Sequence, residues 1–423
     1  MRRLVSWATT SFLALCHFGY APAASTPGVG DDDSKIAPKV FIVSMFAPEA
    51  NVWYQNLPQS GLGDLLAENI STAGLSMLFP HIHCVADHSI CQVTTGESEI
   101  NAAATVMAVA LSDKFDLRET YFLIGGIAGV NPKHSTLGGV SLARFTIQVA
   151  LQYELDVRDM PENFTTGYFA YGTRAPNKYP TTLYGTEVFE VNEALRDKAY
   201  VFASKAKLSD NTNAAAYRAR YKAAGAVYAA ATEPPSVVKC DSATSDVYFS
   251  GDLLSEAFEN VTTVWTNGTG KYCMTAQEDN ATLEVLVRVA IEGLVNFARV
   301  IIMRTGSDFD RPPPGVSSYS HLLTNEQNAF GIAVENIYNA GIEIVKGILS
   351  DWNCTFKQGV KASNFVGDVF GSLGGEPDFG PGSITGGKPL QPNGASELLA
   401  RRGSPLSRTS MRRRGHAYVP PRD

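Results

Sequence analysis

The stretch from Cys273 to Asp310 constrains the fold more than any other part of the chain. It opens on a tight polar cluster, Gln277, Glu278, Asp279 and Asn280, at the start of a predicted helix. Leu283, Val285, Leu286, Val289 and Ile291 carry that helix as a largely buried one. Residues 300–303 (V-I-I-M) then read as a short buried strand of mostly β-branched residues. The strand runs straight into Arg304-Thr305-Gly306-Ser307-Asp308. In open α/β sheets the loops at the carboxyl ends of strands gather polar groups above an apolar floor, and ligands bind there. Asp308 would stand at such an end, and Glu278 at the mouth of the preceding helix. Ser307 or Asp308 could equally cap the next element, as Ser and Asp often do. This stretch alone leaves the two alternatives even.

The N-terminus bears on where the protein goes. Arg2 and Arg3 precede an apolar run to Tyr20, and Ala21-Pro22-Ala23 offers a small-residue cleavage site. That pattern reads as a secretory signal peptide over residues 1–23. Six N-X-S/T sequons fit the same route: Asn69, Asn163, Asn260, Asn267, Asn280 and Asn353. A buried sequon would be silent. Five cysteines follow the leader (Cys84, Cys91, Cys240, Cys273 and Cys354), an odd count that leaves at least one thiol unpaired or intermolecular. Their spacing does not suggest a metal site. Cys84 and Cys91 are close enough to close a small loop, but no pairing follows from the sequence.

Residues 381–423 carry eight Lys/Arg against two acids, which leaves 25 basic and 40 acidic residues over 24–380. An acidic body argues against nucleic-acid binding. The most apolar later segment, residues 283–303, is broken by Glu284, Arg288, Glu292 and Arg299, so no transmembrane segment is expected in the mature chain. The localisation expected is secreted or cell-surface associated.

Along the chain, residues 24–38 form a flexible lead-in and residues 39–45 (K-V-F-I-V-S-M) a strand. Residues 46–49 are expected to be the loop after it, which puts Glu49 just past a strand end. Residues 84–87 and 90–93 look like paired edge strands, and an Ala-rich helix follows over 100–111. Residues 121–124 read as another buried strand, ending in Gly125-Gly126-Ile127-Ala128-Gly129. Three glycines at a strand end imply either a close backbone approach to a ligand or a tight turn, and the former is favoured. A further strand starts at Gly138. Helices are expected over 188–207, 213–231 and 330–349, and a strand over 241–249 that carries Asp246 and Tyr248 on alternate positions. From about Gly371, Gly, Pro, Ser and Arg dominate, and residues 371–423 read as a disordered basic tail. The fold expected is α/β: one three-layer αβα domain over 39–357 with a mostly parallel central sheet.

Several strand-end motifs line up with a known family. The pieces are S-M-F-A-P-E-A-N-V-W (44–53), T-T-G-E-S-E-I-N-A-A (94–103), F-L-I-G-G-I-A-G-V-N-P (122–132), L-G-G-V-S-L-A-R-F (137–145), S-D-V-Y-F-S-G (245–251), T-A-Q-E-D-N-A (275–281) and R-T-G-S-D-F-D (304–310). In this order they resemble the purine nucleoside permease family of fungi and bacteria, over residues from about 40 to 349. That family in turn looks like a branch of the nucleoside phosphorylase/nucleosidase superfamily, which implies a nucleoside phosphorylase-like fold. The resemblance implies catalytic roles for Asp308 and Glu49, and substrate-binding roles for Glu278, Tyr248, Gly125, Gly126, Ser307 and Asn280. Gln277-Glu278 stands where the enzymes carry Met-Glu.

Those residue types suit the implied chemistry. A buried Asp308 with a raised pKa could protonate the purine as the glycosidic bond breaks, with Glu49 activating water or steadying the positive charge on the sugar. Glu278 would accept from two ribose hydroxyls, and Tyr248 would offer a ring face to the base. No arginine clamp is evident at the glycines, with Leu123 and Ile124 entering the turn and Lys133 and Arg144 elsewhere, so hydrolysis is favoured over phosphorolysis. The partner implied is a purine nucleoside; no cofactor or metal is implied, phosphate as a co-substrate apart, and a homo-oligomer is compatible. The rival expectation is a nucleoside-binding component of uptake that performs no chemistry; without a spanning helix it could not be the pore itself.

Overall fold

A computed structural model describes residues 35–377 and 379. The expected leader, most of the expected lead-in, residue 378 and the expected tail from residue 380 lie outside the described residues. In chain order the chain forms β1 (Val40–Ser44), α1 (Ala47–Asn56), β2 (Glu68–Ile70), β3 (Ile82–Cys84), β4 (Ile90–Thr94), α2 (Glu99–Ala110) and β5 (Tyr121–Val130). β6 (Val140–Ala143), β7 (Phe145–Gln148), β8 (Tyr153–Glu154), β9 (Tyr168–Phe169), β10 (Val188–Glu190), α3 (Glu193–Ala203) and α4 (Thr212–Ala219) come next. The rest is β11 (Val237–Lys239), β12 (Asp241–Thr244), α5 (Asp252–Trp265), β13 (Tyr272–Ala276), α6 (Asp279–Ile291), β14 (Val300–Phe309), α7 (Ser318–Leu323), α8 (Phe330–Ser350) and β15 (Gly367–Asp368).

The centre of the sheet is parallel: β4, β1, β5 and β14 lie side by side in one direction. Antiparallel pairs lie around it, β3 on β4, β6 on β14 and β10 on β7. The central strands are mostly apolar where both faces are covered, and their polar residues gather towards the carboxyl ends. Phe41, Val43, Phe122, Ile124, Val300 and Ile302 face one core, shared with Val106 and Val109 of α2 and Leu283 and Leu286 of α6. The alternate residues Val40, Ile42, Tyr121, Leu123, Ile301 and Met303 face the other, with Trp53 of α1, Leu195 of α3 and Ile337 and Ile344 of α8. Helix, sheet and helix give three layers, the α/β class that the sequence implied.

The departures from expectation are local and have physical causes. Residues 46–49 are not a loop. α1 begins at Ala47 with Pro48 in its first turn, where a missing N–H costs nothing, and Glu49 lies in that turn. Nor do Gly125, Gly126 and Gly129 make a turn: β5 continues through them to Val130. The helix expected from residue 188 is a strand first, β10, and α3 starts only after Asn192 caps it by accepting from the Leu195 N–H at 3.2 Å. The helix expected over 213–231 is α-helical only to Ala219, and the 3₁₀ turns that follow are kinked at Gly225. β12 stops at Thr244, so Tyr248 stands beyond the strand rather than on it. β4 is not an edge strand, since β1 and β3 flank it. The packed body also runs past the boundary expected at Gly371: Phe379 is buried against Phe145 and Phe365.

Cys84–Cys91 links the facing residues of β3 and β4, and Cys240–Cys273 ties the approach to β12 onto β13. Of the sequons, Asn69, Asn163, Asn267 and Asn353 are exposed while Asn280 is buried. Among the described residues no helix is long and apolar enough to cross a membrane.

Because 33 residues of sequence separate Cys240 from Cys273, that bridge restrains the unfolded chain substantially. A Cys240→Ser, Cys273→Ser double variant is expected to lose about 3–4 kcal/mol of stability in urea unfolding. A loss below about 1 kcal/mol would mean that the bridge contributes little beyond the packing around it.

Candidate functional site

A cavity of about 490 Å³ opens where β1, β5 and β14 run out. Its floor is Met45, Ile127, Ala128 and Gly129; Ser245 and residues 247–250 form one wall, and His321, Leu322 and residues 325–330 lie over it. His321 pins that cover to the sheet. Its Nε2–H donates to the Phe309 carbonyl at 2.8 Å, and its Nδ1 accepts from the Tyr217 hydroxyl at 2.7 Å. Burial holds the imidazole below its ordinary pKa, which favours this neutral form.

Glu49 enters from the first turn of α1 and is buried. Its Oε2 accepts the Met45 N–H at 2.7 Å and its Oε1 the Ile127 N–H at 2.7 Å, so the carboxyl bridges the ends of β1 and the middle of β5. Burial pushes its pKa up to about 7, against the opposing pull of Arg304 and the two amides.

Arg304 sits opposite Gly126 in the β5–β14 ladder and is buried. Its Nη2 donates to Asp279 Oδ1 at 2.5 Å and to Glu278 Oε2 at 3.1 Å, and its Nη1 to the Ile127 carbonyl at 3.2 Å. The Ser242 hydroxyl donates to Asp279 Oδ2 at 2.7 Å, and the Ser98 N–H to Glu278 Oε1 at 2.9 Å. A Cβ at Gly126 would lie 2.7 Å from both Arg304 Nη1 and Glu49 Oε1. Glycine is needed there because two ionic side chains cross the strand, not because the strand turns.

Asp308 lies near the end of β14. Its Oδ2 accepts from the Tyr248 hydroxyl and its Oδ1 from the Ser307 hydroxyl, both at 2.7 Å. Burial pushes it up to about 6, opposed by those two hydrogen bonds and reinforced by nearby Asp310. Tyr248 is 59% exposed as a residue, yet burial of its hydroxyl end and the neighbouring Asp308 raise its pKa. A carboxyl group held near neutrality inside a cavity can give or take a proton at physiological pH.

Glu49, Tyr248, Glu278, Ser307 and Asp308 therefore line one cavity. Gly125, Gly126 and Asn280 do not. Gly125 packs against Met303, Gly126 lies under Glu49 and Arg304, and buried Asn280 donates to the Thr186 carbonyl at 2.8 Å. The sequence reading missed Arg304, whose signal was a lone cation directly after the apolar run 300–303 of a buried strand. It also missed the cover from His321 to Phe330, which no local motif marks. Lys133 and Arg144 are engaged elsewhere, with Glu259 and Glu190. Among the described lining residues Arg304 is the single Lys or Arg, against Glu49, Glu97, Glu278, Asp308 and Glu326.

Fold and site together define a three-layer α/β protein with an acidic, partly apolar cavity at the carboxyl ends of its central strands, of the size that takes a small organic ligand. The profile of the purine nucleoside permease (NUP) family matches residues 37–361. A purine nucleoside permease of Candida albicans is 47% identical over 353 residues, covering 82% of this chain and 84% of that protein. A Schizosaccharomyces pombe protein named probable purine nucleoside permease C285.05 is 41% identical over 328 residues, covering 76% and 91%. The chain belongs to the purine nucleoside permease family. Among solved structures, the 5′-methylthioadenosine/S-adenosylhomocysteine nucleosidase of Neisseria meningitidis aligns at a TM-score of 0.43 and 14% identity, covering 74% of this chain and 99% of that one.

Removing Arg304 would leave Glu278 and Asp279 buried without their cation. Arg304→Met is expected to cost about 3–5 kcal/mol in chemical unfolding. A variant within about 1 kcal/mol of wild type would show that the two carboxyls simply take up protons instead.

Proposed function

We propose that the cavity binds a purine nucleoside and that the protein cleaves its N-glycosidic bond with water, in salvage of nucleosides outside the cell. The observation that carries the reading is the pair of buried carboxyl groups, Glu49 at about 7 and Asp308 at about 6, facing one cavity. In the reaction the bond between the purine nitrogen and the anomeric carbon breaks as water adds to that carbon. The Asp308 carboxyl gives its proton to the purine ring, and Glu49 takes one from the attacking water. Glu278, held by Arg304 and the Ser98 amide, keeps lone pairs on both oxygens for ribose hydroxyls. Tyr248, Phe249 and Phe46 supply aromatic surface for the base.

Water is favoured over phosphate on electrostatic grounds. Arg304, the single Arg among the described lining residues, is already paired with Glu278 and Asp279, so an anion entering the cavity would meet uncompensated carboxylates. Export is supported by the leader-like N-terminus and the exposed sequons. A second reading, nucleoside binding for uptake with no chemistry, draws support from the names of the relatives and from the Tyr248–Asp308 hydrogen bond, which occupies the would-be acid.

Purified protein incubated with inosine or adenosine, with and without phosphate, is expected to release free base in both cases; no release in either would leave the binding-only reading. Asp308→Asn is expected to lower turnover by about 10²–10⁴-fold while nucleoside still binds, and unchanged turnover would remove Asp308 from the mechanism. An acid that must be protonated loses activity as pH rises, and a base that must be ionised loses it as pH falls. Turnover should therefore peak between about pH 6 and 7 and decline on both sides. A flat profile from pH 5 to 8 would contradict the pairing of roles.

A further inference from the structure

Ser98 joins Glu278 to Asp246, and the nucleoside-binding reading uses only the first of these contacts. It stands just before α2 with φ 81° and ψ 161°, backbone angles that a residue with a side chain keeps only when its surroundings hold it there. Its N–H donates to Glu278 Oε1 at 2.9 Å, while its hydroxyl donates to Asp246 Oδ1 at 2.7 Å. The next amide, Glu99 N–H, donates to that same Asp246 oxygen at 2.9 Å. Asp246 thus caps α2 from a distant loop, and its charge meets the positive end of the helix. Its own carbonyl accepts from Gln277 Nε2 at 3.0 Å. Neither Ser98 nor Asp246 lines the cavity, yet Tyr248 lies two residues beyond Asp246 and Glu278 is bound by the Ser98 amide.

We propose that Ser98 and Asp246 form a positioning clasp coupling the wall that carries Tyr248 to the wall that carries Glu278, so that the base-facing and sugar-facing groups are set together. This rests on the reading of the cavity as a nucleoside site. The hydrogen bonds to Asp246 are charge-assisted and converge on one oxygen, so losing the carboxylate frees the 245–250 loop and the α2 entry at once. The Ser98 backbone then has nothing to hold its unfavourable angles, and the amide that fixes Glu278 turns away with it.

The clasp is tested with Asp246→Ala, Asp246→Asn and Ser98→Gly in the full chain, by ligand-free hydrogen exchange and by calorimetric titration with inosine. Asp246→Ala should speed exchange in residues 245–250 and also in 277–279, and weaken inosine binding by about ten- to a hundred-fold. Asp246→Asn keeps an acceptor oxygen and should recover most of that loss. Ser98→Gly removes the hydroxyl but relieves the backbone, so its melting temperature should equal or exceed wild type while inosine binding falls. A merely structural role would move stability and affinity the same way. Faster exchange confined to 245–250, or unchanged inosine affinity in Asp246→Ala, overturns the clasp. If wild type binds no inosine, the nucleoside reading falls and the exchange pattern alone decides the clasp; if Asp246→Ala does not fold, Ser98→Gly decides it.

Discussion

Arg304 is the group around which this structure has to be arranged. A guanidinium cannot shed its charge, and this one is shut between two strands and the start of a helix, away from water. Such a charge is tolerable only with anions and acceptors in good geometry. Glu278, Asp279 and the Ile127 carbonyl supply them, and Gly126 leaves the space for the side chain to cross. The entry to α6 is thereby docked on β14 and β5 by charge, while the rest of α6 is docked by the apolar core. Glu49, a few ångströms from the same guanidinium across Gly126, joins the arrangement without a direct ion pair.

The same arrangement sets the chemical character of the cavity. Desolvation drives Glu49 and Asp308 towards their neutral forms, and Arg304 pulls Glu49 only part of the way back. The two acids reach similar values by different routes. Glu49 is held by two amides and a nearby cation with which it makes no direct ion pair; Asp308 is held by two hydroxyls. With the arginine spoken for and carboxyl groups on several sides, the cavity suits an uncharged ligand rich in hydroxyls and a flat ring better than an anion. That preference follows from the scarcity of cations among the described lining residues and from where Arg304 is spent.

Much of this was legible in the sequence because strand ends carry recognisable chemistry. β1, β5, β14, α6 and α8 follow from apolar runs and helical spacing, and Glu49, Tyr248, Glu278, Ser307 and Asp308 do share a cavity. What was misread depends on partners far away in the chain. Three glycines look like a strand end that a ligand approaches until Arg304 and Glu49 are seen to need the space above Gly126. Asn280 looks like one of a polar set, but helical rotation carries it from Glu278 towards the Thr186 carbonyl. Arg304 was passed over because a cation in a buried strand is explained only by acids brought to it from another element. The cover over the cavity has no periodic pattern of its own, and its hold on the sheet runs through His321, Tyr217 and the Phe309 carbonyl.

The central claim is that this cavity is a purine nucleoside site. The most direct test is a crystal structure with a C-glycosidic purine nucleoside analogue, whose base and sugar are joined by a carbon–carbon bond and cannot be separated by water. The account predicts the analogue in this cavity, its ribose hydroxyls on Glu278 and its purine ring against Tyr248 with a ring nitrogen facing Asp308. Density for the analogue elsewhere on the protein, or an empty cavity at saturating concentration, would contradict it.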